Sequence, residues 1–239
     1  MLNRISSSSP TSYVSSGSSS AGINPSINVR PPRGGPVDTL VGAASDNNLV
    51  YIGDEHGKLF IPKLITESAA KLKNAGVDHL AVEFVKHSDG AAFREALSDG
   101  KSAVKHFLEA SWGRHGDAWL DKVSEALCSA HRAGIYVSGI DRKMAIDQPK
   151  TPMQKILYMK KRLALNVAWD AAATREASAV CANKSIVWGG AGHFSNSKTD
   201  GPKDMRPGLV ISFDLTGRGS SRINDADEHS HIVIAGEDN

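Results

Sequence analysis

Four short apolar runs recur along the chain, and each stops at glycine or at charge. They are Leu49 to Ile52, Leu80 to Val82 within Asp78 to Phe84, Gly134 to Ile140, and Ser185 to Trp188. Continuous apolar character, rather than alternation, marks a strand covered on both faces. Between the runs the period changes to that of helices. Leu59, Phe60, Leu64, Ala69 and Leu72 keep helical spacing up to Gly76, which stands where a C-terminal cap belongs. Three further helical patterns follow the second run. One carries Phe93, Ala96 and Leu97, the next Val104, Phe107 and Leu108, and the third Trp119, Leu120, Val123, Leu127 and Ala130 up to Gly134. They make one long crossover, expected to shape a wall of a pocket.

Thr151-Pro152 reads as an N-cap followed by proline at the first helical position. The helix it opens is expected to run to about Ala182, and the apolar residues Ile156, Leu157, Leu163, Leu165, Val167 and Trp169 predict that it is central and well covered. Leu209 to Leu215 and His231 to Ala235 read as two last strands. Strands alternating with helices predict an α/β fold, with a mostly parallel central sheet flanked by helices and a C-terminal strand pair.

Composition changes this picture at one end. Residues 1 to 37 contain no Asp, Glu or Lys and are crowded with serine, so they are expected to form a disordered leader ahead of a single domain over residues 38 to 239. No apolar h-region or myristoylation glycine is visible there. An acid-free, serine-rich leader fits an organelle transit peptide, the leader of a type III secreted protein, or a plain disordered tail. Of the chain's 28 basic residues, three lie in the leader, leaving 25 against 26 acidic residues, a net −1. That balance supplies no electrostatic footprint for nucleic acid. No apolar run reaches the length of a membrane span. Cys128 and Cys181 both fall in helical patterns and are expected to be buried free thiols.

The candidate chemistry sits where the strands end. After Leu49 to Ile52 come Gly53, Asp54, Glu55, His56 and Gly57. The second run ends at Glu83, the third at Asp141-Arg142, and the fourth in a glycine run closed by Gly192-His193. If the strands are parallel, all four sets lie at one edge of the sheet, where open α/β sheets bind ligands. His56 beside Glu55 or Glu83 is a candidate general base for deprotonating water. Burial of Glu83 would raise its pKa and make it an acid or base, unless it only caps a neighbouring helix. Asp141 is a candidate to orient His193 or bind metal, or else to pair with Arg142. Gly189 to Gly192 could present N–H groups to an oxyanion or be a simple turn. The set His56, Glu83, Asp141 and His193 could hold a divalent metal, although its spacing matches no dense metal motif. His79, His87, His106, His115, His131, His229 and His231 carry weaker signals.

In that order, strand-GDEHG, strand-AVEF, strand-GID and strand-GGAGH resemble the superfamily joining erythromycin esterase-like hydrolases, ChaN-type haem-uptake proteins and TIKI proteases. The resemblance covers roughly residues 45 to 195, and its most specific pieces are Gly53-x-Glu55-His56-Gly57, Glu83 and Gly192-His193. With the serine-rich leader, the chain resembles the HopBA class of plant-pathogen type III effectors. The resemblance implies an α/β fold of the esterase, ChaN and TIKI type. It also implies a site core of His56, Glu83 and His193 with Glu55 close by. Asp141 and Arg142 are implied as polar pocket residues, and Gly53 and Gly192 as ligand-approach positions. Haem is not expected, because no Tyr or Met axial ligand stands near the motifs. The implied role is a secreted virulence effector with a hydrolase-like cleft, acting on an unidentified host target in the host cytosol. The alternative is a non-catalytic binding protein on the same scaffold, holding a haem-like ligand or a host protein.

Overall fold

The structure is a computed structural model and describes residues 27–142, 150–194, 197–198, 201–223 and 231–238. Most of the proposed leader lies outside these residues. The part inside them, residues 27–37, is tied to the domain, and its last two residues, Pro36 and Val37, already belong to the first helix. Ile27 and Val29 pack against the core, the Asn28 N–H donates to Asn47 Oδ1 at 2.9 Å, and Arg30 pairs with Asp46.

The strands are β1 Leu49–Asp54, β2 Val77–Lys86, β3 Tyr136–Asp141, β4 Lys184–Gly190, β5 Ser197–Lys198, β6 Gly201–Pro202, β7 Leu209–Asp214, β8 Arg222–Ile223 and β9 His231–Ala235. The helices are α1 Pro36–Asp46, α2 Phe60–Asn74, α3 Gly90–Asp99, α4 Lys101–Trp112, α5 Asp117–Arg132, α6 Pro152–Leu163 and α7 Asn166–Ala179. Helix α1, opened by Pro36 just inside its start, stands where only a short link was expected.

Seven strands form one sheet in the order β3-β2-β4-β1-β7-β9-β8, and every pairing except β8 with β9 is parallel. This is the mostly parallel sheet expected from the apolar runs, with β7 and β9 as the C-terminal pair. Side chains leave its strands alternately to two helical layers. Val50, Ile52, Leu80, Val82, Ile186 and Trp188 enter the larger core, with residues of α1, α2 and α5. Tyr51, Ala81 and Val187 enter a smaller one with Trp169, Ala172 and Ala173 of α7. Ile61, Leu64, Ile65 and Leu72 recur at helical spacing on α2, which is why that helix buries one face against the sheet layer.

The long helix expected from Thr151 is two helices, broken between Leu163 and Asn166. Thr151 does open α6, through a capping box in which its side chain accepts from the Gln154 N–H and Gln154 returns the bond. The expected coverage holds for Trp169, which is fully buried, and for Leu165, which packs against the smaller core, but not for α6. No residue of α6 is buried, and Met153, Ile156, Leu157 and Val167 are 65%, 53%, 51% and 63% exposed. Apolar periodicity records which residues share a face; it does not record whether anything covers that face. The thiols divide as well. Cys128 is buried, whereas Cys181 is exposed, just past α7, with a φ of 52°.

Candidate active site

Because β3, β2, β4 and β1 are adjacent and parallel, their carboxyl ends meet at one edge of the sheet. A cleft of about 440 Å3 opens there, and Asp54, Glu55, His56, Glu83, Asp141, Gly192 and His193 all line it. So do Trp112 and Arg114 from the crossover, as the insert between β2 and β3 led one to expect, and Tyr158, Met159 and Arg162 from α6. Arg142 is exposed and is not on the wall. Gly53 is buried under Ala191, whose Cα would lie 3.1 Å from an added Cβ.

Glu83 is the hub of the cleft. It is 4% exposed, on a strand with apolar neighbours on both sides. Its Oε1 accepts from Arg162 Nη2 at 2.6 Å, its Oε2 accepts the Gly190 N–H, and the same oxygen lies 3.5 Å from His56 Nε2. Burial would raise its pKa, but the hydrogen bond and charge of His56, with the charges of His193 and Arg162, outweigh burial and pull it down to about 2. Glu83 is therefore an ionised carboxylate, opposite to the raised pKa expected from burial alone.

The imidazole of His56 bridges two carboxylates. Its Nδ1 lies 3.4 Å from Asp54 Oδ2, and its Nε2 faces Glu83. Burial would lower its pKa, but both carboxylates favour the cation and push it up to about 9. Phe84, Trp112, His115 and Trp119 present edges or tilted faces around the ring, at centroid distances of 5.0–6.0 Å. Asp54 is sealed, and burial pushes its carboxyl up, against the pull of His56. Its Oδ1 and Trp188 Nε1 are both buried without a well-formed hydrogen bond, although the indole still favours the carboxylate.

His193 is held in the opposite state. Its Nδ1 lies 2.7 Å from Asn166 Oδ1. Asn166 spends its amide hydrogens on the carbonyls of His193 and Lys203, so its oxygen faces the ring and accepts. Nδ1 must then carry the proton, and Nε2 keeps a lone pair. Nε2 has no hydrogen-bond partner among the described residues and is not sealed off. The ring stacks on Trp169 at 3.9 Å between centroids. Burial is the main cause that holds its pKa down to about 4, with Arg162 and His56 opposing the pull of Glu83.

Asp141 does not pair with adjacent Arg142 or orient His193. It accepts from Arg162 Nη1 at 2.9 and 3.2 Å and from Trp169 Nε1 at 3.1 Å, and burial pushes its carboxyl up. Arg162 thus clamps the ends of β2 and β3 together. It lies in the run Lys160-Lys161-Arg162, which reads as a solvated helix face, so no sequence signal marked it. Asn166 was equally silent. The glycines after β4 serve close approach. A Cβ on Gly189 would lie 3.0 Å from Trp169 and 3.2 Å from Glu83, and one on Gly190 would lie 3.0 Å from His56 Nε2. The Gly190 N–H is already bonded to Glu83.

Tyr158 and Met159 stand on the cleft wall, distant in sequence from the motifs, so the reason given against a haem-like ligand does not hold. Among the described residues, no group of three or more His, Cys, Asp or Glu is arranged to hold a metal ion. His79 is fully buried between Ser138 and Ser185 inside the sheet, and burial holds its pKa down to about 4. His115 is half-buried against His56 rather than solvent-facing. His229 lies outside the described residues.

These opposed shifts set a pH dependence of stability. His79 and His193 have folded values below the unfolded 6.5, so their contribution is complete above pH 6.5 and is lost as pH falls towards about 4. Each full displacement is worth roughly 3 kcal/mol. His56 has a raised folded value, so its contribution is complete below pH 6.5 and is lost as pH rises towards about 9. Glu83 adds a loss from 4.5 down to about 2, while the raised carboxyls of Asp54 and Asp141 offset part of the acid-side loss. Melting temperature followed across pH is expected to peak near 6.5 and fall on both sides. A profile still rising at pH 9 would contradict the assignment of His56.

Fold and site together define an α/β protein with a cleft of carboxylates and histidines at the carboxyl edge of a mostly parallel sheet. A family model described as type III effector protein HopBA1 matches residues 43–234. The chain belongs to that family of type III effectors, a class consistent with secretion into host cells. Among solved structures it is similar to ChaN of Campylobacter jejuni, described with cofacial haem binding, at 10% identity over 81% of this chain and 89% of that one, with a TM-score of 0.44. It is also similar to RRSP, a MARTX toxin effector domain from Vibrio vulnificus CMCP6, at 15% identity over 84% of this chain and 38% of that one, with a TM-score of 0.45. No helix among the described residues is long and apolar enough to cross a membrane.

Proposed function

We propose that this type III effector is a hydrolase acting in the host cytosol, with His193 as general base and His56 as general acid. The observation that carries the reading is the pair of histidines held in opposite protonation states in one cleft. Titratable groups pushed apart by their surroundings are how one site supplies both an acid and a base near neutral pH. In the proposed step, His193 Nε2 takes a proton from water as the water oxygen bonds to the electrophilic carbon of an ester or amide. His56 gives its proton to the departing oxygen or nitrogen as the bond to carbon breaks. The two rings then exchange protons with solvent to reset. The contacts of His56 at 3.4–3.5 Å are loose enough for a substrate atom to compete for its proton. Glu83 stays ionised and holds His56, Arg162 and β4 in place; Glu55, exposed at the rim, is a position for contacting substrate.

The pH profile of kcat/KM tests this reading. Catalysis needs His193 neutral and His56 charged, so the rate is expected to fall only below about pH 4 and above about pH 9, with a plateau between. Two unperturbed histidines would instead give a narrow optimum near 6.5. A second reading, a haem-like ligand held without turnover, is favoured by Tyr158 and Met159 on the wall. It requires a haem absorbance band that Tyr158→Phe or Met159→Ala removes.

A further inference from the structure

Helix α6 is attached to the domain by one side only. Tyr158, Met159 and Arg162 turn to the cleft, and none of its residues is buried. Its other side carries Met153, Ile156 and Leu157, spaced i, i+3 and i+4 and therefore contiguous, and all three are more than half exposed. The charge around this stripe has one sign. From Lys150 to Leu165 the chain contains Lys150, Lys155, Lys160, Lys161 and Arg162 and no acidic residue. Of these five, Arg162 is spent on Glu83 and Asp141, and no described carboxylate forms an ion pair with the four lysines. Lys160 follows the stripe at the same spacing, so its stem can lie along the apolar surface with its ammonium above.

We propose that this outward face of α6 docks the protein on an anionic membrane surface, with the stripe entering the headgroup boundary and the lysines meeting anionic lipid. A basic amphipathic helix lying in the interface plane has this composition. Lys160 and Lys161 flank the stripe, whereas Lys155 shares the opposite face with Met159 and Arg162; a fluid charged bilayer meets the flanking ammoniums without the fixed partners that a groove in an acidic protein would have to supply. The cleft lies on the opposite side of the same helix, so docking through the stripe leaves Tyr158, Met159 and Arg162 on the cleft wall. The proposal rests on the outer face of α6 and stands or falls apart from the chemistry of the cleft.

Co-sedimentation of the full chain with vesicles tests it, comparing phosphatidylcholine alone with a mixture containing phosphatidylserine. Binding is expected to the mixture only and to be lost in high salt. Each lysine near an anionic surface changes partitioning about five-fold, so K160E/K161E is expected to weaken it by about 25-fold or more. I156E/L157E is expected to abolish it, with circular dichroism and melting temperature unchanged in both variants. Absence of binding to the mixture, or binding that both variants retain, would overturn the proposal. So would a dimer in sedimentation velocity that I156E/L157E dissolves while vesicles remain unbound, because the occupant would then be a second copy of the chain.

Discussion

His193→Ala and His56→Ala are each expected to lower turnover by about 10²- to 10⁴-fold, the usual effect of removing a positioned base or acid. Both chains should stay folded. His193 is neutral and bonds through one nitrogen to Asn166, so its loss frees one acceptor and one aromatic stack. His56 is partly open to the cleft, and its two contacts are long. The double variant should be hardly worse than the weaker single, because two groups that act in one proton exchange fail together. The readout is the effect on host cells after delivery, at matched protein abundance, beside the melting temperature. Folded single variants with full effect would place the function outside the cleft.

Glu83→Ala is expected to be the most damaging single change to stability. It leaves the Arg162 guanidinium, the Gly190 N–H and the His56 imidazolium without their shared acceptor. Removing one partner of a buried ion pair costs roughly 3–5 kcal/mol. That is a large part of a total near 5–15 kcal/mol. At about 2–4 °C per kcal/mol, the melting temperature should drop by roughly 6–20 °C. Glu83→Gln keeps an acceptor but not the charge and should fall between the two. Lost activity in Glu83→Ala therefore cannot by itself identify a catalytic role, which is why the two histidines are the sharper test. If Glu83→Ala melts as the parent does, the clamp between β2, β3 and α6 is not a structural element.

The sheet and the shared edge were legible because a strand buried on both faces is written in adjacent residues. The runs before Gly53, Glu83, Asp141 and Gly189 each carry that mark, and parallel pairing then brings their ends together. Arg162 and Asn166 were not legible. Arg162 reaches the cleft, and Asn166 reaches the His193 ring, only because α6 and α7 break where they do, and the local sequence of both reads as ordinary helix surface. The protonation states were also hidden, since they depend on which charges surround a ring and not on the motif it belongs to. Glu83 shows this most clearly, because burial and partners push in opposite directions and the partners win. The exposed stripe of α6 misled for a related reason, as an apolar face reads alike whether the protein's own core or an outside surface covers it.

The central claim is that one cleft holds a charged His56 and a neutral His193, and histidine-resolved NMR titration of the full chain tests it most directly. His56 is expected to remain an imidazolium through neutral pH and to titrate near 9, while His193 shows the Nδ1–H tautomer and titrates near 4. If both rings titrate together near 6.5, or His193 carries its proton on Nε2, the acid–base assignment is contradicted.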